Sequence, residues 1–208
     1  GDVYKRQLKN IGDIASADLS QLLKTKVQVK VHSNDYVLCN TSIFTAKEEW
    51  MHSENCTPSY ITLEDEYPVD DIKFSVYTET PELLEEIEDA PCKKVYYHSA
   101  LLKSNCRVTS QPDWGDVYIY LKGMNTVDPI SLLQYIVSFR DECHFHEEIC
   151  EAIYKRLMDT INPDELCVRC LYARRGGIDI NPERASHKKL LHHTLGQVDV
   201  PHIKTPKQ

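Results

Sequence analysis

The run VYIYLKGMNTVDPISLLQYIVSFRDECHFHEEICEAIYKRLMDTINPDELCVRCLYA, residues 117–173, decides the fold. Its opening VYIYLKG alternates as a strand does when one face meets a core. Asp128 followed by Pro129 predicts a helix start: an aspartate caps the first amides, and proline at the first helical position forfeits no bond. Leu132, Leu133, Ile136 and Phe139 then fall at helical spacing. A second helix follows directly, with the apolar stripe Phe145, Ile149, Ala152, Ile153, Leu157 and Ile161. Asn162-Pro163-Asp164 stops it, and ELCVRCLYA (165–173) and IDIN (178–181) read as strands split by Gly176-Gly177. Strand, helix, helix, strand, strand is the order of an α+β layout, an antiparallel sheet with two helices packed on one face.

Upstream the pattern is thinner. ADLSQLL (17–23) reads as a helix end, VQVKVH (27–32) as a strand, and YVLCN (36–40) as a second strand after a Ser33-Asn34-Asp35 turn. That matches only the latter part of the order above, so residues 8–91 are expected to hold an incomplete first module plus a connector. Within the acidic connector, IKFSVYTE (72–79) predicts a strand and PELLEEIED (81–89) a short helix. Residues 92–187 are the complete module and 188–208 a tail. Residues 1–7, GDVYKRQ, lack an initiator Met and are read as a non-native leader, with the chain truncated at its amino terminus.

Composition narrows the function classes. A chain of 208 residues, 41% hydrophobic and 27% charged, can bury a real core, and no apolar run is long enough to cross a bilayer. A net charge of −8 disfavours direct nucleic-acid binding, which needs a basic face to release counterions. A small-molecule substrate and a cytoplasmic location are expected. The eight cysteines, without a secretory signal, read as reduced thiols.

The candidate chemistry lies from Leu101 onward. In LLKSNCRVTSQPDWG (101–115), Cys106 reads either as a small buried hydrophobe or as a nucleophile whose basic, polar neighbours Lys103 and Arg107 favour a thiolate. Asp113 reads either as a turn residue before the strand or as an acid. His146 and Glu147 open a helix, where the dipole alone favours Glu147 and Glu148; a carboxylate there also suits the N–H and amino edge of a guanine-like ring. Arg174-Arg175-Gly176-Gly177 reads as a bulge with solvated arginines or as a phosphate site, the guanidinium fork matching phosphate oxygens and glycine admitting close approach. Cys167 and Cys170, three apart on a strand, face opposite ways and are expected to be one core and one surface residue, not a metal pair. Cys143, His144 and His146, and separately His192 and His193, lack a second ligand pair at familiar spacing, so no metal is expected.

At LLKSNC, QPDWG, FHEE and RRGGIDINP the chain resembles the NADPH-dependent 7-cyano-7-deazaguanine reductases, the two-module nitrile reductases of queuosine biosynthesis. The resemblance implies the tunnelling fold (T-fold), and it implies NADPH as cofactor. By the same resemblance Cys106 is the nucleophile that forms a thioimide, Asp113 the proton donor, His146 and Glu147 the substrate-binding pair, and Arg175 and Gly176 NADPH contacts. A homodimer is expected. The family's Glu-Ser-Lys-Ser type motif has no match here. Two other readings stand beside this one: a noncatalytic tunnelling-fold subunit binding a purine or pterin, and a cyclohydrolase-like enzyme, which would need zinc.

Overall fold

The computed structural model describes residues 2–29, 31, 60–88, 90 and 92–191. Contacts divide the chain into two units, residues 1–49 with 192–203 and residues 50–191 with 204–208. In the first, helix α1 (Asp2–Leu23) takes in the expected ADLSQLL segment. The hydroxyls of Ser20 and Ser16 accept the N–H groups of Val27 and Val29 at 2.8 Å each, drawing the returning chain against the helix. Gly12 permits this, since a Cβ there would stand 3.1 Å from the Val29 carbonyl oxygen. Val27 and Val29 therefore bond to serine side chains and residues 27–29 form no strand, contrary to the expectation for the described part of VQVKVH. The rest of the expected hairpin lies outside the described residues.

The second unit holds β1 (Ile61–Thr62), α2 (Leu63–Glu66), β2 (Glu86–Ile87), β3 (Cys92–Ser99), β4 (Lys103–Cys106), β5 (Pro112–Gly123) and β6 (Thr126–Val127). After them come α3 (Pro129–Ser138), β7 (Cys143–His144), α4 (His146–Ile161), β8 (Glu165–Tyr172) and β9 (Glu183–Ala185). A seven-stranded sheet centres on β5, which pairs antiparallel with β3, β4 and β8; β1 joins β3 and β7 joins β4, both in parallel. β2 and β6 form a separate two-stranded pair.

Both helices pack on one face, as the sequence order predicts. Val117, Ile119 and Leu121 of β5 and Leu166, Val168, Cys170 and Tyr172 of β8 share one buried cluster with Leu132, Leu133 and Ile136 of α3 and Ile149, Ile153, Leu157 and Ile161 of α4. The period of two along each strand meets the period of about 3.6 along each helix. α3 begins at the predicted place: the Asp128 carboxylate accepts from Ser131 N–H at 2.7 Å and Pro129 follows. α4 ends at Asn162, which takes left-handed φ of 40° with its N–H on the Met158 carbonyl.

Several local expectations are corrected. Residues 73–77 carry no strand, and Pro81–Leu83 is a single 3₁₀ turn followed by β2, so neither IKFSVYTE nor PELLEEIED forms its expected element. IDIN contributes only the isolated bridge Arg175↔Ile178, and the strand that follows β8 among the described residues is β9 instead. β5 starts at Pro112, which places Asp113 inside a strand and not in a turn. Phe145 caps α4 from outside and is 45% exposed, so it does not belong to the apolar stripe. Cys167 and Cys170 do face opposite ways, in different clusters, but both are buried, because Leu190 covers the Cys167 face.

Gly115 sits opposite Tyr172 in the β5–β8 ladder, and a Cβ there would come 3.0 Å from the Tyr172 ring. That ring is fully buried and has nowhere to retreat. Gly115→Ala is expected to lower the unfolding free energy by about 1–3 kcal/mol, read from urea denaturation; an unchanged midpoint would contradict this packing.

Candidate active site

The nucleophile candidate stands at the end of a short hairpin. β4 runs out at Cys106, whose N–H donates to the Gln111 carbonyl at 2.8 Å while its own carbonyl accepts from Ser110 N–H at 2.8 Å. These bonds fold residues 107–110 back over the half-buried thiol. The Thr109 hydroxyl, then the backbone N–H groups of Thr109 and Val108, hold the Cys106 thiol below its ordinary value by bonding to the thiolate; slight burial and the Asp113 carboxylate oppose them.

Asp113 lies across the ladder. Ser104 pairs with Asp113, so Cys106, two residues along β4 from Ser104, shares a sheet face with Asp113. The Asp113 side chain is 4% exposed. Its Oδ1 receives Arg175 Nε at 2.6 Å and stands 3.2 Å from His146 Nε2. A carboxylate removed from water needs such partners, since an unpaired buried charge is strongly destabilising.

Each partner is delivered by a different element. His146 is the first residue of α4 and buried; its ring lies parallel to Tyr172 at 3.9 Å between centroids and 7° between planes. Its Nδ1 is buried with no hydrogen-bond partner among the described residues. Arg175 comes from a tight turn in which Arg175 and Ile178 exchange N–H···O bonds of 2.9 and 3.1 Å around Gly176 (φ 56°) and Gly177 (φ 81°). Positive φ at both positions is what glycine permits. Arg175 also donates to the Gln111 side-chain oxygen at 2.9 Å and the Pro112 carbonyl at 3.2 Å, while Arg174 holds Asp179 in a fork at 2.9 and 3.1 Å.

Of the six residues singled out by the sequence, Asp113, His146 and Arg175 are thus in direct contact, with Cys106 on the same face as Asp113. Glu147 is exposed on the first turn of α4, and Gly176 occupies the open tip of its turn, where no heavy atom lies within 4 Å of a built Cβ. Neither joins the contacting group. Sequence reasoning missed Thr109, Gln111 and Tyr172. Tyr172 shares the strand parity of Cys170 and so was open to detection; Thr109 and Gln111 act through a hairpin whose closure the sequence did not signal.

The arrangement offers a thiolate-favouring sulfur, a buried acid joined to an imidazole, and an arginine beside a bare backbone turn. Such a set suits covalent addition of sulfur to an electrophilic carbon with proton delivery nearby. Among the described residues no group of three or more His, Cys, Asp or Glu is placed to hold a metal ion, and no helix is long and apolar enough to cross a membrane.

Comparison with known proteins bears on this site. Residues 112–190 match the family model described as QueF-like protein. A Colwellia psychrerythraea protein named NADPH-dependent 7-cyano-7-deazaguanine reductase is 36% identical over 183 residues, 86% of this chain and 58% of that protein. Proteins of the same name from Polaromonas naphthalenivorans and Coxiella burnetii are 46% and 38% identical, over 58% and 65% of this chain and 43% and 51% of theirs. The chain spans about half the length of the curated relatives it matches. Among solved structures, an archaeosine synthase QueF-Like in the apo form aligns with 50% of this chain at 16% identity and a TM-score of 0.39.

The thiolate cradle makes a direct expectation. The pH midpoint for alkylation of Cys106 by iodoacetamide lies below that of an unperturbed thiol, and Thr109→Val moves it upward, because losing the hydroxyl donor disfavours the anion. A midpoint that does not move on this substitution would remove Thr109 from the site.

Proposed function

The chain is a homologue of proteins named NADPH-dependent 7-cyano-7-deazaguanine reductase, and from that premise we propose that it serves the same nitrile reduction. The reaction takes 7-cyano-7-deazaguanine to 7-aminomethyl-7-deazaguanine with two NADPH, in tRNA queuosine biosynthesis, on a tunnelling-fold module. The observation that carries the reading is the placement of a lowered-pKa thiol on the sheet face where Asp113 meets His146.

The steps follow from these groups. The electron pair of the Cys106 thiolate attacks the nitrile carbon, a carbon–sulfur bond forms, and the triple bond becomes the double bond of a thioimide. The nitrogen gains electron density as this happens and needs a proton. Asp113 supplies it as the carboxylic acid, having taken the proton that Cys106 loses on becoming a thiolate, and His146 Nε2, 3.2 Å from Asp113 Oδ1, is in reach to pass a further proton to the carboxylate. Glu147, beside His146 on the first turn of α4, accepts hydrogen bonds from the N–H and amino edge of the deazaguanine, a pairing that selects this ring. Water has to be kept out, since it would hydrolyse the thioimide.

The Arg175–Ile178 turn fits a dinucleotide phosphate. Open space around Gly176 and Gly177 lets backbone N–H groups approach an anion, and Arg175 stands next to them. Arg175 and Gly176 would hold NADPH, which when bound supplies the two hydrides that, together with protons and with the carbon–sulfur bond breaking to return the Cys106 thiolate, bring the nitrile carbon to the amine level. A cytoplasmic homodimer completes the proposal: the chemistry needs a reduced thiol, which that compartment maintains.

Incubation with 7-cyano-7-deazaguanine is expected to add the mass of the nitrile to the wild-type chain and nothing to Cys106→Ala, by intact-protein mass spectrometry. An adduct of equal yield on the variant would place the nucleophile elsewhere.

A further inference from the structure

Immediately after Cys106 the chain does something that the reaction scheme does not use. Cys106 pairs with His144 in the parallel β4–β7 ladder. Arg107 then reaches over the short β7 strand to the beginning of α4. Its Nη1 lies 2.9 Å from Glu148 Oε1, its Nη2 lies 3.2 Å from His144 Nδ1, and its guanidinium carbon stands 5.3 Å from the centroid of the Phe145 ring. One planar cation therefore touches residues 144, 145 and 148, which bracket His146 and Glu147.

Glu148 carries the contact into the helix. Its second oxygen, Oε2, accepts the Phe145 N–H at 2.8 Å, the reach-back bond of a residue three positions inside a helix start. That N–H, with smaller help from Arg107 and His144 against slight burial, holds the Glu148 carboxyl below its ordinary range. His144 is fixed in turn by Glu142 Oε2, 3.1 Å from its Nε2.

We propose that Arg107 and Glu148 are positioning residues that lock the nucleophile strand to the first turn of α4 and so set the distance between the Cys106 sulfur and a substrate held by His146 and Glu147. This rests on the functional reading above. Arg107 and Glu148 are 46% and 40% exposed, a setting in which an ion pair adds little to stability. Its consequence is geometric: a displacement of about 1 Å at a reacting pair costs up to about a hundredfold in rate. Variants that break the lock are therefore expected to fold and to react slowly.

The test uses the whole chain and two readouts, the rate of adduct formation with 7-cyano-7-deazaguanine and amide hydrogen exchange across Phe145–Ile149. Arg107→Gln and Glu148→Gln are expected to slow the adduct about tenfold with its final yield unchanged, and to speed exchange of that turn. Glu148→Gln keeps an oxygen for the Phe145 N–H, so it separates the lock from the cap. Arg107→Lys recovers part of the rate. Adduct rates within about twofold of wild type would overturn the proposal, as would slowed adduct formation with exchange unaltered, which would mean a direct electrostatic effect. Should the wild-type chain form no adduct, the nucleophile assignment fails on its own, and exchange alone then decides whether the lock exists.

Discussion

One buried carboxylate organises this structure. Asp113, 4% exposed near the start of the central strand β5, is met through a single oxygen by Arg175 at 2.6 Å and His146 at 3.2 Å. Burying that charge without its partners would cost several kcal/mol, so the chain is compelled to bring three distant segments to one point. The strand β5 supplies the carboxylate, the start of α4 the imidazole, and the glycine turn after β8 the guanidinium. The nucleophile candidate is carried to the same face by the β4–β5 ladder.

The scaffold around that point is closely packed. Tyr172 lies flat on the His146 ring, and the absence of a side chain at Gly115 makes room for Tyr172. The same buried cluster that joins α3 and α4 to β5 and β8 thus ends at the imidazole. The sulfur, by contrast, sits at the rim, half-buried in a hairpin whose donors favour the anion.

Legibility from the sequence follows the strength of the local signal. The Asp128-Pro129 start, the 149, 153, 157, 161 stripe and the Asn162 stop are local rules acting over several turns, and each is realised as read. The short segments 72–79, 81–89 and 178–181 failed because a few alternating residues do not say whether a ladder partner exists. Asp113 looked like a turn residue because Pro112, Asp113 and Gly115 are poor strand formers; the ladders to β4 and β8 overrule them. Phe145 looked like core because it falls in phase with the stripe, although a residue capping the helix from outside need not follow the helical face. The four site motifs were visible in the sequence as types and order, whereas the meeting of Asp113, His146 and Arg175 depends on long-range pairing that no local rule contains.

In the proposed reading, sulfur attack and proton delivery occur on one sheet face, at Cys106 and Asp113. The most direct measurement is a crystal structure of the chain soaked with 7-cyano-7-deazaguanine. Continuous density is expected from the Cys106 sulfur to the former nitrile carbon, with the nitrogen within hydrogen-bond reach of Asp113 or His146. Ligand bound without a bond to Cys106, or with its nitrogen facing away from both groups, would contradict it.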